Sequence, residues 1–407
     1  MSSFAWLDFS DRDHERALEV LDLFRERDTR DELGIATVRD ALADLLFPAT
    51  GTVQTRARYF LFVPWIYRVL EGKKTTSREV ANLARVAEVR LMDRLLDGSD
   101  TTGVIGSRRR AAIKRLPSAI YWQGLGRLGI RQFPGSREQY HRSLDSFYSR
   151  GGARRRYDDG ELVDEGRGRN WDAGLPEVPK GFPDGCSLTL QSSEARYLRD
   201  RLLLKAPRSL LTHLVTRSDD FEDAPFPWVH SKAATFPTHN REELLHAQNF
   251  SEAMHGAALL YNFMLAELRQ NSKLMTEYSN RLEHWEAMCH ARAAALAVWS
   301  LEDFWALLRR EGARVPSHTR AFVTEWLTLV RAGKRRSWRR DRSARALVTI
   351  RERQLKHRQA RLEGGTALEL WGGAAGAGRL DYRWGRIARQ FVLDVQTALG
   401  NGDARAA

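Results

Sequence analysis

Thr76-Ser-Arg-Glu-Val-Ala-Asn-Leu-Ala-Arg-Val-Ala-Glu-Val-Arg-Leu-Met-Asp-Arg-Leu-Leu-Asp-Gly98 is the stretch that decides the fold class. Thr76 and Glu79 stand in capping-box spacing, so each side chain can satisfy a first-turn N–H. Gly98 can take the left-handed conformation that ends many helices. Between them Val80, Leu83, Val86, Leu91 and Leu95 recur at the helical period and predict one apolar face.

Similar signals extend in both directions. Leu18, Leu21 and Phe24 share a helical face, and Thr37 with Asp40 opens a helix that Phe47-Pro48 should end. From Arg56 to Glu71 an aromatic segment reads as helix, kinked or split at Pro64. Asn240 with Glu243, Ser300 with Asp303, and Ser317 after Pro316 open three more. The last of these carries Phe322, Trp326, Leu327 and Val330 on one face. A final helix runs from Trp384 to Leu399 and stops at Gly400. Strand-like alternation is scarce, so the expected fold is mainly α and multi-helical. Two helical domains, 1–149 and 187–407, are expected around a linker at 150–186. There Gly151-Gly152, mixed charges and Pro176, Pro179 and Pro183 argue against a regular element.

The 407 residues are 43% hydrophobic and 29% charged, which suits a packed core and argues against general disorder. Cys186 and Cys289, 103 positions apart, form no disulfide framework or zinc pattern. The opening residues show no signal-peptide pattern, and apolar runs fall well short of the roughly 20 residues of a membrane span. A cytoplasmic protein with no membrane partner is expected.

Charge is the feature that points to a partner. Lys plus Arg number 65 against 52 Asp plus Glu, a net +13. Between Arg331 and Arg361 thirteen cations face only Asp341 and Glu352, a net +11. Lys334, Arg335, Arg336, Arg339, Arg340 and Arg342 surround Trp338, a ring able to stack on a base or to cover an apolar neighbour. Such a cluster repels itself and favours a polyanion, and the planar Arg fork suits phosphate oxygens. A second acid-free patch holds Arg108, Arg109, Arg110, Lys114 and Arg115. Leu116-Pro117-Ser118 and an apolar-periodic segment, Ala119 to Ile130, follow it in a helix-turn-helix pattern. Arg56 and Arg58 precede the run Tyr59 to Tyr67, whose aromatics compete as core.

Enzymatic readings are weaker. Glu243-Leu-Leu-His246 and Glu252-Ala-Met-His255 have the Glu-x-x-His spacing of di-iron bundles. Nine positions apart, they converge only if the helix breaks near Asn249 to Ser251. His230-Ser-Lys232 has the His-x-Lys of phospholipase D-type phosphodiesterases but neither their later Asp nor a second copy. Asp219, Asp220, Glu222 and Asp223 could hold Mg²⁺ or form a solvated acidic turn. Gly372 to Gly378 lacks the Lys-Ser/Thr of a P-loop and reads as a flexible connector. No catalytic residue, metal ligand or cofactor is assigned.

Phe4-Ala-Trp-Leu-Asp-Phe-Ser10, Leu33 to Asp40, Leu45-Leu-Phe-Pro48, Thr55 to Tyr67, Arg115 to Gly124 and Leu380-Asp-Tyr-Arg-Trp384 together resemble an uncharacterised bacterial domain-of-unknown-function family. The resemblance spans nearly the whole chain. It implies a DNA-linked defence role against phage, beside helicase-like or nuclease-like proteins, and transfers no catalytic residue. The expected function is a non-catalytic nucleic-acid-binding component of a DNA-processing or anti-phage assembly. The alternatives are a metal-dependent nuclease or hydrolase, and a scaffold that docks an acidic partner.

Overall fold

The computed structural model describes residues 31–152, 169–217, 222–333 and 337–406. The expected face Leu18–Phe24, the acids Asp219 and Asp220, and Lys334, Arg335 and Arg336 lie outside them. The fold is all-α. Fifteen α-helices and no strand occur among the described residues. The chain divides into two compact units, each built from separated segments. One comprises 1–42 and 243–380, the other 43–242 and 381–407.

The second unit is organised around α2 (Tyr59–Gly72), after α1 (Ala36–Leu46). Tyr59 to Tyr67 are buried without exception. A helix apolar on every side must be enclosed on every side. It packs on α3 (Val80–Leu96) and α4 (Pro117–Arg127), and Pro64 sits inside it without splitting it. The expected linker closes part of this enclosure. Trp171 and Leu175 are buried, Trp171 stacks on Tyr67 at 5.9 Å, and Trp65 Nε1 donates to Pro176 O at 2.8 Å. After α5 (Arg137–Gly152) come α6 (Ser192–Lys205) and α7 (Leu210–Val215), on which the last helix, α15 (Arg389–Ala406), packs. One π-turn, Trp384–Ala388, precedes α15.

Helix α3 forms and ends just before Gly98, but it begins at Val80 after a turn in which Thr76 Oγ1 donates to the Glu79 carboxylate rather than capping an N–H. Its buried stripe is Val80, Ala84, Glu88, Leu91, Met92 and Leu95. Leu83 and Val86 are exposed instead. The stripe follows the i, i+4, i+8 row from Val80, which brings Glu88 inside.

The first unit centres on α8 (Thr238–Leu268), with α9 (Ser272–Ala291), α10 (Ala293–Val298), α11 (Leu301–Arg310), α12 (Ser317–Arg331), α13 (Arg342–Lys356) and the short α14 (Gly365–Glu369). Ser300 caps α11 as its spacing predicts, accepting from Asp303 N–H. Gly256 lets Trp285 approach α8, because a Cβ there would lie 2.2 Å from the indole. Gly372 to Gly378 is packed rather than loose. Ala375 N–H donates to Asn262 Oδ1, Tyr278 donates to Gly373 O, and Ala375 and Ala377 are buried.

Candidate nucleic-acid interface

The cationic tract on the first unit is mostly engaged with its own fold. Arg351 is buried, donating to Leu33 O at 2.8 Å and to Thr319 Oγ1 at 2.8 Å. Arg331 donates to Leu296 O and Trp299 O. Arg339 meets Ser279 and Glu283, Arg345 meets Glu267 at 2.5 Å, and Arg353 meets Glu363 at 2.9 Å. Lys356 joins Glu32 and Glu352, and Arg361 joins Glu32 at 2.8 Å. Glu32, Glu267, Glu283 and Glu363 all lie outside the tract in sequence, so several of its described cations meet acids that its running charge count leaves out. Arg340, Arg342 and Arg358 are exposed and form no ion pair among the described residues. Of the two readings of Trp338, the structure shows the ring covering apolar neighbours. It is 5% exposed and packs edge-on against Trp285 at 4.8 Å and against Trp326 at 5.3 Å.

A hollow of about 780 Å³ opens beside this network, lined by Lys356, Arg358, Arg361, Gly364 and Gly365 among others. Lys356 and Arg361 in its wall are already paired. Lys356 Nζ bonds Glu32, Tyr261 Oη and Glu352, while Glu352 also takes Arg361 N–H and Leu362 N–H.

The second patch is better presented. Arg108, Arg109, Arg110, Lys114 and Arg115 are all exposed, on the connection between α3 and α4. The expected helix there is not formed. One 3-10 turn, Arg110–Ala112, interrupts a run of turns, so the patch is a loop and the first helix of a helix-turn-helix is missing. The backbone explains it. Arg110, inside the patch, has φ of +43°, and Gly103 and Gly106 just before it have +91° and +90°, values that no right-handed helix contains.

The loop is nevertheless fixed. Val104, Ile105 and Ile113 are buried beneath it. Thr55 Oγ1 donates to Gly103 O at 2.6 Å, Ile105 N–H donates to Tyr59 Oη at 3.0 Å, and Arg85 donates to Ile113 O at 3.2 Å. A Cβ on Gly106 would lie 2.7 Å from Ile113 Cδ1 and 2.8 Å from Met92 Sδ. Gly106→Ala is therefore expected to lower stability by about 1–3 kcal/mol, combining positive-φ strain with displacement of Ile113. The shift of the urea midpoint measures it, and an unchanged midpoint would remove this account of the loop.

Arg56 and Arg58 are also corrected, from phosphate contacts to internal braces. Arg56 Nε forks onto Asp394 at 2.9 and 3.1 Å, and its Nη1 reaches Asp100 at 2.6 Å and Thr102 O at 3.0 Å. It thereby ties the root of the loop to α15. Arg58 is buried and pairs with Glu194 at 2.7 Å.

At the other root, Glu88 was missed by sequence reasoning because an acid inside a helical stripe reads as surface. Its oxygens take Ser118 N–H at 2.7 Å and Ser118 Oγ at 2.8 Å, and Arg137 donates to the same Oγ at 2.9 Å. Burial pushes Glu88 up to about 7, against the Ser118 bonds and the Arg137 and Arg85 charges.

Among the described residues, those read for enzymatic chemistry do not assemble. Helix α8 runs unbroken through Asn249 to Ser251, so the two Glu-x-x-His pairs stay on different faces. Glu252 pairs with Arg292 and Arg379, His246 accepts from Trp299 Nε1, and His255 Nε2 donates to Ala377 O. Glu222 takes Ser231 N–H at 2.8 Å, and Asp223 pairs with Arg389. No group of three or more His, Cys, Asp or Glu that could hold a metal occurs among the described residues. No helix among them is long and apolar enough to cross a membrane.

Comparison with known proteins gives one match. A family of unknown function, DUF6361, matches residues 1–398. No curated protein and no solved structure matches the chain.

Proposed function

We propose that this chain, which belongs to the DUF6361 family, binds nucleic acid by phosphate contacts from the loop bearing Arg108, Arg109, Arg110, Lys114 and Arg115. The observation that carries the reading is five exposed cations, with no acid between them, on a loop whose backbone is held at both roots. Like charges kept together on a fixed support are stabilised when phosphates neutralise them and condensed counterions are released. Four of the five are Arg, whose fork can take two phosphate oxygens at once. An irregular loop offers no helix to a groove, so the contact is with the backbone and carries no base readout.

The test is binding to a DNA duplex as a function of salt. Replacing all five cations by Gln should lower affinity and reduce the slope of log K against log salt by up to about 4.5, at roughly 0.9 per phosphate contact. An unchanged slope would sink the proposal. Capture of an acidic protein, with duplex binding absent, would replace it with the scaffold reading.

A further inference from the structure

The loop has two roots, and they differ chemically. At the first, Asp100 and Asp394 share Arg56, so charge meets charge. At the second, a single carboxyl that is 2% exposed takes both donors of a serine that is itself fully buried. Ser118 is the second residue of α4 and lies three positions beyond Arg115, the last exposed cation. Leu116 and buried Pro117 join them, and on the loop side of Arg115 the buried Ile113 gives its carbonyl to Arg85, so this stem is seated on both sides. Releasing Ser118 from Glu88 would free this stem.

The surroundings of Glu88 are closed to water. Arg85 faces it from its own helix, Ser118 from α4 and Arg137 from α5. Tyr67 and Tyr59 lie within its field from α2. Behind Tyr67 stand Glu138 and His141, whose Nε2 is 2.9 Å from the Tyr67 hydroxyl. Burial holds His141 neutral by pushing it down to about 4, so it adds no cation. Neither arginine makes an ion pair with Glu88 itself among the described residues.

We propose that Glu88 is a proton-controlled latch on the cationic loop. Protonated, it holds Ser118 and keeps the loop cations positioned; ionised, it favours opening of the stem and weakens phosphate binding. The protonated acid accepts Ser118 N–H on one oxygen and donates through the other to Ser118 Oγ, so the 2.8 Å contact serves both forms. The ionised acid gains solvation when the stem opens, which the neutral acid does not. The direction of the Glu88 shift agrees, since a group harder to ionise when closed is easier to ionise when open. The latch stands on its own geometry; only its effect on binding rests on the phosphate-contact reading.

Limited trypsin digestion of the full chain tests it, because the loop itself is rich in cleavage sites. Cleavage after Arg108 to Arg115, identified by mass, is divided at each pH by cleavage of a free peptide of the same sequence. From about pH 5.5 to about pH 8, normalised cleavage should rise roughly 10–30-fold in the wild type and stay flat in Glu88→Gln. Parallel profiles would overturn the latch. Duplex affinity over the same range separates the two readings. Cleavage that responds to pH while no duplex binds keeps the latch and removes the phosphate reading. Duplex binding whose pH dependence matches that of Glu88→Gln removes control of binding by the latch. Should Glu88→Gln fail to fold, wild-type hydrogen exchange at Ser118 and Ala119 decides. Protection lost as pH rises through about 7 supports the latch, and pH-independent opening overturns it.

Discussion

Arg56→Ala is expected to lower folding stability by about 3–5 kcal/mol, the range for removing one partner of a buried ion pair. The Arg56 side chain is 11% exposed and that of Asp394 only 3%. Asp394 receives both Arg56 Nε contacts, Ala57 N–H at 2.8 Å and Gln390 Nε2 at 2.9 Å. Without the guanidinium two donors remain, and the carboxylate stays enclosed. Burial already holds Asp394 above the ordinary carboxylate range, opposed by Arg56. The substitution pushes it further in that direction.

The pH dependence has a definite sign. A carboxyl with a raised folded-state pKa favours the folded state at low pH and loses that contribution as pH rises through the folded-state value. The deficit of Arg56→Ala should therefore shrink as pH falls and Asp394 takes up its proton in the variant. Asp394→Asn added to Arg56→Ala should recover part of the loss at neutral pH. Urea unfolding at two pH values measures both effects. A loss below about 1 kcal/mol would place the pair with exposed salt bridges and contradict its burial. The same variant frees Asp100 and Thr102 O, so it should also loosen the first root of the cationic loop.

Arg56 illustrates what was legible in the sequence and what was not. Local signals were readable because they act over one helical turn. Ser300 with Asp303, Ser317 after Pro316, and Thr76 with Glu79 each mark a helix that forms. Partnerships across the chain were not. Arg56 and Asp394 are 338 positions apart, and Lys356 and Glu32 are 324 apart. A running charge count sees the cations of Arg331 to Arg361 and not the acids that fold against them. Periodicity also left the phase of α3 open, since Leu83 and Val86 fit one stripe and Ala84 and Glu88 another. Only burial chooses between them. The segment at 150–186 reads as a linker because proline and glycine suppress periodicity. Yet Trp171 and Leu175 within it cover α2. The acid-free patch at Arg108 to Arg115 is exposed as a loop, and its missing helix was not legible because the positive φ at Arg110 leaves no trace in the residue pattern.

Trp338→Ala is the second large effect, expected to destabilise by about 3–5 kcal/mol. Two explanations compete for a tryptophan among arginines, and they predict opposite results. A base-stacking ring is exposed, so its loss would weaken nucleic-acid binding by roughly 1–3 kcal/mol and leave stability nearly intact. A core ring does the reverse. Trp338 stands in a cluster with Trp285 and Trp326, whose indole N–H groups donate to Glu252 O and Ala253 O on α8. Truncation would leave a void against two rings whose hydrogen bonds to α8 restrict their collapse into it. Trp338→Phe, which retains an edge-on ring, should lose less. Duplex affinity of folded Trp338→Ala should match the wild type at equal salt. A variant that keeps its unfolding midpoint but loses affinity would return Trp338 to the interface and require another element to seal Trp285 and Trp326.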